Sequence, residues 1–195
     1  MLQKVKIVFI ECNIEQVLYF TDHLELDPHI HRVPVVLEDL NKQNKETMQE
    51  IAGSDLILTS FYHLNEVHEH LNHLGKPIIG INLEPEVKTI IEIAKVPSDN
   101  TVGIVTTSKR FIKIIKDILE ELNLDFSRIL ETNSNRDETI KRIVRKCDAV
   151  LVSPKRKQIV SNYSKDNTKV IEFCFTPDRT SINNLKVALL ELKKV

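Results

Sequence analysis

VFIECN (8–13), SDLILTS (54–60) and IGINLEP (79–85) return later in the chain as GIVTTS (103–108), CDAVLVS (147–153) and IEFCFTP (171–177). Aligning Glu11 with Thr106, Ser60 with Ser153 and Pro85 with Pro177 gives intervals of 49 and 25 residues in the first half. The second half gives 47 and 24. Three anchors that hold their spacing this closely mark a duplicated supersecondary unit, and each copy is read as a lobe of its own.

Working outward from these strings, short β-branched runs alternate with helical periodicity along the whole chain. Strands are expected at 5–11, 31–37, 55–60, 77–82, 101–107, 127–132, 148–153 and 169–175. Most are continuous apolar runs, the pattern of parallel strands covered on both faces. Between them lie amphipathic segments. In 109–122 the residues Phe111, Ile112, Ile114, Ile115, Ile118, Leu119 and Leu122 are expected to cover one face, and Lys113, Lys116, Asp117 and Glu120 to take the other. This alternation predicts an α/β protein of two Rossmann-like lobes with parallel sheets. The expected boundaries are 1–83 for the first lobe, a connecting helix at 84–96 and 97–176 for the second lobe. A last helix at 177–195 is expected to pack back on the first lobe.

The chain has 195 residues, 42% apolar and 28% charged, with 27 Lys+Arg against 28 Asp+Glu for a net charge of −1. A chain of this size buries roughly 70% of its unfolded surface, so no disulfide or metal staple is needed. Near neutrality and the absence of Trp argue against a free-standing nucleic-acid module. The basic residues Lys141, Arg142, Arg145 and Lys146, and the run Lys155-Arg156-Lys157, read as solvated faces. No apolar run reaches the ~18 residues of a membrane span, so no membrane partner is expected. Three widely spaced cysteines, Cys12, Cys147 and Cys174, without a CxxC, fit a reduced, cytoplasmic protein.

In open α/β lobes ligands sit beyond the carboxyl ends of the strands. The expected ligand-binding set is therefore Glu11, Asn13, Ser60, Phe61, Glu84, Thr106, Thr107, Ser108 and Ser153, facing an interlobe cleft. Asn13 and Ser108 suit helix N-caps, and Ser153-Pro154, Glu84-Pro85 and Thr176-Pro177 read as a cap followed by Pro at the first helical position. Free N–H groups at such helix starts attract polar or anionic groups, while Glu11 and Glu84 favour hydroxyl or amino groups on a ligand. Phe61 offers an apolar wall.

No metal or cofactor is expected. HLNEVHEHLNH holds His63, His68, His70 and His73, but the place of the second zincin histidine is taken by Asn72, and the string reads as a solvated face. There is no GxSxG, P-loop or GxGxxG. Cys147 and Cys174 lie within or beside apolar runs, so they read as structural.

Taken together, VFIECNIEQ, DLILTSFYHLNEV, IGINLEPEVKTIIEIAK and VGIVTTS resemble the C-terminal effector-binding domain of a subset of GntR-type bacterial transcription regulators, and more distantly the sensor domain of propionate-catabolism activators. That resemblance implies a two-lobed, periplasmic-binding-protein-like fold, no enzymatic activity and a small polar metabolite as effector. It also implies a homodimer, with DNA contact only through a helix-turn-helix domain standing before Lys4 and outside this chain. Two alternatives stand beside it. One is a cysteine-type isomerase or racemase of the two-lobed aspartate/glutamate racemase class, which needs two facing nucleophiles. The other is an interaction module without a small ligand.

Overall fold

The structure, a computed structural model, describes residues 5–23 and 27–192. The expected chain start at 1–4 and the last residues of the C-terminal helix lie outside the described residues. The elements are β1 (Lys6–Glu11), α1 (Ile14–His23), β2 (His31–Val36), α2 (Leu37–Asn41), α3 (Lys45–Ala52), β3 (Leu56–Ser60), α4 (Leu64–Leu71), β4 (Ile78–Ile81) and β5 (Leu83–Pro85). They continue as α5 (Val87–Ala94), β6 (Thr101–Val105), α6 (Lys109–Glu121), β7 (Arg128–Thr132), α7 (Asp137–Val144), β8 (Ala149–Val152), α8 (Lys157–Ser161), β9 (Lys169–Glu172), β10 (Phe175–Pro177) and α9 (Arg179–Leu192).

The chain forms two compact units. Met1–Glu84 and Thr176–Val195 make the first, and Pro85–Phe175 the second. Each holds a four-stranded, all-parallel sheet, in the order β2-β1-β3-β4 in the first unit and β7-β6-β8-β9 in the second. The two orders are the same permutation, so the sequence repeat is a repeat of topology. This is an α/β protein with two parallel sheets.

In the first unit Val8, Ile10, Val35 and Ile57 point to one face of the sheet and pack with Leu37, Leu40, Ile51, Val67 and Leu71 from α2, α3 and α4. Phe9 turns to the other face, where its ring lies 5.6 Å from that of Phe20 in α1. Right-handed crossovers account for this division, because α1 carries the chain one way across the sheet and α2–α3 carry it back. In the second unit Val105, Val150, Val152 and Val170 pack against Ile140 and Val144 of α7 and Val160 of α8. Separately, Phe111 of α6 lies 5.7 Å from Phe175, and Phe173 lies 5.3 Å from Phe175.

Several local expectations change. Residues 84–96 are not one connecting helix. They hold the end of β5 and α5, and α5 belongs to the second unit, where Thr89 donates its hydroxyl to Glu172 O at 3.1 Å. Glu84-Pro85 and Thr176-Pro177 do not cap helices. They lie in β5 and β10, which pair with each other as a two-stranded sheet. A proline can close a short strand as readily as open a helix, because its missing N–H is unneeded at either place. The helices begin two residues later, and Asp178 Oδ1 accepts the Ser181 N–H at 2.6 Å. Ser153-Pro154 also starts no helix. Lys155 adopts a left-handed φ of 67°, which breaks the helical run, and α8 waits until Lys157. The strand expected at 169–175 is divided into β9 and β10 by Phe173 and Cys174.

Candidate functional site

In a sheet of order 2-1-3-4 the crossovers diverge at the central pair of strands, and the ends of those strands are left open between two helices. In the first unit that pair is β1 and β3, and Ile10 pairs with Thr59. Glu11 and Ser60 are therefore neighbours at the strand ends. Glu11 is 4% exposed and its Oε1 accepts the Ser60 N–H at 2.7 Å. Its Oε2 lies 3.5 Å from Nε2 of His63, itself buried at the N-terminus of α4. Burial pushes the Glu11 carboxyl up to about 7, while hydrogen bonds from Ser60 pull it down in part. Asn13 is buried, and its Oδ1 accepts the N–H groups of Glu15 and Gln16 at 2.8 and 3.3 Å, capping α1. Gln16 is 2% exposed, and neither end of its carboxamide has a hydrogen-bond partner among the described residues.

The second unit repeats the geometry with different side chains. Val105 pairs with Val152, so Thr106 and Ser153 stand side by side beyond β6 and β8. Thr106 is fully buried, and its hydroxyl donates to Ser108 O at 2.9 Å and accepts the Ser108 N–H at 3.2 Å. Ser108 Oγ accepts the Phe111 N–H at 3.3 Å and caps α6. Ser153 is fully buried, and its hydroxyl has no partner among the described residues. Arg156 is 7% exposed. Its Nη1 donates to Thr106 O at 3.0 Å and its Nη2 to Asn135 Oδ1 at 2.9 Å.

Within the first unit, then, Glu11, Asn13 and Ser60 come together. Within the second, Thr106, Thr107, Ser108 and Ser153 gather around the start of α6. Phe61 is 58% exposed, and Glu84 is exposed on β5. His63, Gln16, Asn135 and Arg156 were not expected in either set. His63 and Arg156 correct the reading of their strings as solvated faces, because both turn inward, and each follows its anchor serine by three residues. His63 N–H donates to Ser60 O at 3.0 Å, and Arg156 N–H to Ser153 O at 3.2 Å. His68 and His73 are exposed, and among the described residues no three His, Cys, Asp or Glu are grouped to hold a metal ion. A cleft of about 550 Å³ in the first unit collects Leu40, Lys45, Met48, His70 and His73, and none of the expected site residues lines it. Cys147 packs in the second unit's core, where burial pushes its thiol up to about 11. Among the described residues no helix is long and apolar enough to cross a membrane.

Comparison with known proteins gives four similarities. Residues 103–195 match the family model of the YmtS Rossmann-like domain. A protein of Clostridium tetanomorphum, described as an uncharacterized protein in mutS 5'region, is 27% identical over 97 residues, covering 50% of this chain and 97% of that protein. Among solved structures, the transcription regulator CcpA of Lactococcus lactis superposes with a TM-score of 0.48 at 11% identity, over 98% of this chain and 91% of the other. An ABC transporter solute-binding protein of Mycobacterium smegmatis with bound glycerol gives 0.47 at 11% identity, over 83% and 70%. The stretch from 103 onward is thus similar to a Rossmann-like domain, in keeping with the parallel order β7-β6-β8-β9 found there.

Proposed function

We propose that this chain is a small-molecule sensor domain that takes a polar ligand at the carboxyl ends of its parallel strands and responds by a shift among its conformations. One observation carries the reading. At the strand ends where ligands bind in such sheets, the chain buries polar side chains that have no hydrogen-bond partner among the described residues: the Gln16 carboxamide and the Ser153 hydroxyl. A buried polar group without a partner costs about 1–3 kcal/mol, so such groups are rare in native folds and ask for a partner from outside the chain. In each unit the neighbouring positions are also polar.

The finer proposal is the effector-binding domain of a GntR-type regulator. Such a protein would be dimeric and cytoplasmic, bind a small polar metabolite and reach DNA through a separate helix-turn-helix domain. On this reading it is not an enzyme. The cysteines give the racemase alternative little support. Cys147 sits in the apolar core with a thiol that resists ionisation, and Cys174 is buried.

A thermal-shift screen with sugars, polyols, amino acids, carboxylates and phosphates tests the proposal. A ligand at 100 times its Kd stabilises the native state by about 2.7 kcal/mol, a rise of a few degrees. Gln16→Met, which removes the amide and keeps the volume, is expected to preserve folding and weaken a first-unit ligand. A flat response to every class ends the sensor reading.

A further inference from the structure

We propose that the carboxyl end of the second unit's sheet is an oxyanion site, where Arg156, the Ser153 hydroxyl and the N-terminus of α6 together receive a carboxylate or phosphate group of a small ligand. The inference rests on the ligand-binding reading above and adds the charge of the group that this unit takes.

The position comes from the topology. β6 and β8 are the strands at which the crossovers of this unit diverge, and the pairing of Val105 with Val152 sets Thr106 beside Ser153 just past them. Val150 and Val152 pack with Ile140 and Val144 of α7. Side chains alternate along a strand, so Ser153 turns to the opposite face, the one to which the first crossover brings α6. Its hydroxyl is fully buried and without a hydrogen-bond partner among the described residues. No helix start uses it, since α8 begins only at Lys157.

The charge comes from three features. Arg156 belongs to a run of three cations, yet it is the one of the three that is buried. Hydrogen bonds to Thr106 O and Asn135 Oδ1 fix the plane of its guanidinium at the end of β6. A planar fork held in this way suits the paired oxygens of a carboxylate or phosphate. Next, α6 is 13 residues long and carries Lys109 and Arg110 in its first turn, with no acidic residue there. Cations at this end oppose the helix dipole, and a bound anion reverses that penalty.

The third feature is the repeat. Glu11 and His63 of the first unit stand where the second has Thr106 and Arg156, so the duplicated position has exchanged an acid for a hydroxyl and an imidazole for a guanidinium. Two carboxylates of this sheet have partners of their own. Glu172 Oε1 accepts the Lys155 N–H at 2.9 Å, and Glu131 pairs with Lys116 at 3.0 Å.

The test is a titration of the full chain with inorganic phosphate, acetate and succinate at constant ionic strength, against chloride, read as the unfolding midpoint and by calorimetry. A saturable response to phosphate alone assigns a phosphoryl group, and a response to acetate or succinate assigns a carboxylate. Ser153→Ala is expected to melt as the parent does without anion and to bind the anion about tenfold more weakly. Arg156→Lys keeps the charge, loses the fork and weakens binding, and Arg156→Gln abolishes it. Arg145→Ala, which removes one exposed charge at the far end of α7, leaves the response unchanged. No response above chloride to any of the three anions overturns the inference, as does a response that Ser153→Ala and Arg156→Gln both retain in full. If the anions fail while a neutral sugar or polyol binds, the oxyanion site falls and the sensor reading stands. If no compound of any class binds, both fall.

Discussion

A carboxyl group that loses its water on folding keeps its proton to higher pH, and Glu11 is in that position at the end of an apolar strand. Its raised value near 7 means that between the ordinary carboxylate range and neutrality the folded chain binds a proton that the unfolded chain has released. Stability from this group is therefore greatest at acidic pH and declines as pH climbs toward 7, by up to about 3 kcal/mol. Denaturant melts of the parent at pH 5 and pH 7.5 are expected to differ in that direction, and Glu11→Gln to flatten the difference; an unchanged slope in Glu11→Gln would show that the pH dependence belongs to other groups. Glu11 was legible in the sequence because a lone acid ending VFIE has no solvated neighbour to explain it. His63 and Arg156 were not. Each lies in a polar string, HLNEVHEHLNH or KRK, whose composition describes a surface. What turns them inward is the sharp bend after the strand, since each main-chain N–H closes back on the serine three residues before it. Reading the repeat down to single residues was the one available signal, because Ser60–His63 and Ser153–Arg156 keep the same offset.

At the scale of elements, periodicity carried the helices and strands well, and capping chemistry carried only some of their starts. Asn13 and Ser108 cap α1 and α6 as their residue types predict, because a short polar side chain after an apolar strand reaches the free N–H groups of the first turn. Asn13→Ala and Ser108→Ala are each expected to cost about 1 kcal/mol, measured by urea melts without ligand. The loss in Ser108→Ala should localise to faster hydrogen exchange in the first turn of α6. Equal protection there would mean that Phe111 packing against Phe175 holds the helix start without the cap. The proline-marked starts misled for a physical reason. Pro85 and Pro177 each close a strand, and sequence alone does not reveal that the two strands carrying them pair with each other at opposite ends of a 91-residue unit. That pairing is long-range, and no local propensity encodes it.

For the whole molecule, the duplication was visible because strand-end anchors recur at near-constant spacing, while the division of the chain was visible only in part. The second unit is one unbroken segment, with β6–β9 and α5–α8 all inside Pro85–Phe175. The first unit is completed by a second segment that includes α9. Leu185 and Leu189 of that helix are buried, Asn82 N–H donates to Ser181 Oγ at 2.8 Å, and Asp178 N–H donates to Asn82 O at 3.1 Å. Asn82 Nδ2 also meets Asp178 Oδ2 at 3.1 Å. A chain of residues 85–175 keeps its own core and the link from Thr89 to Glu172, so it is expected to fold alone, with dispersed amide resonances and a cooperative melt. Residues 1–84 alone lose α9, whose Leu185 and Leu189 are buried, and leave the polar groups of Asn82 unmatched. Such a piece is expected to stay poorly dispersed until 176–195 is supplied, by fusion or as a peptide. The converse result, a folded 1–84 and an unfolded 85–175, would mean that the duplicated lobes draw their stability from other contacts than the ones each encloses.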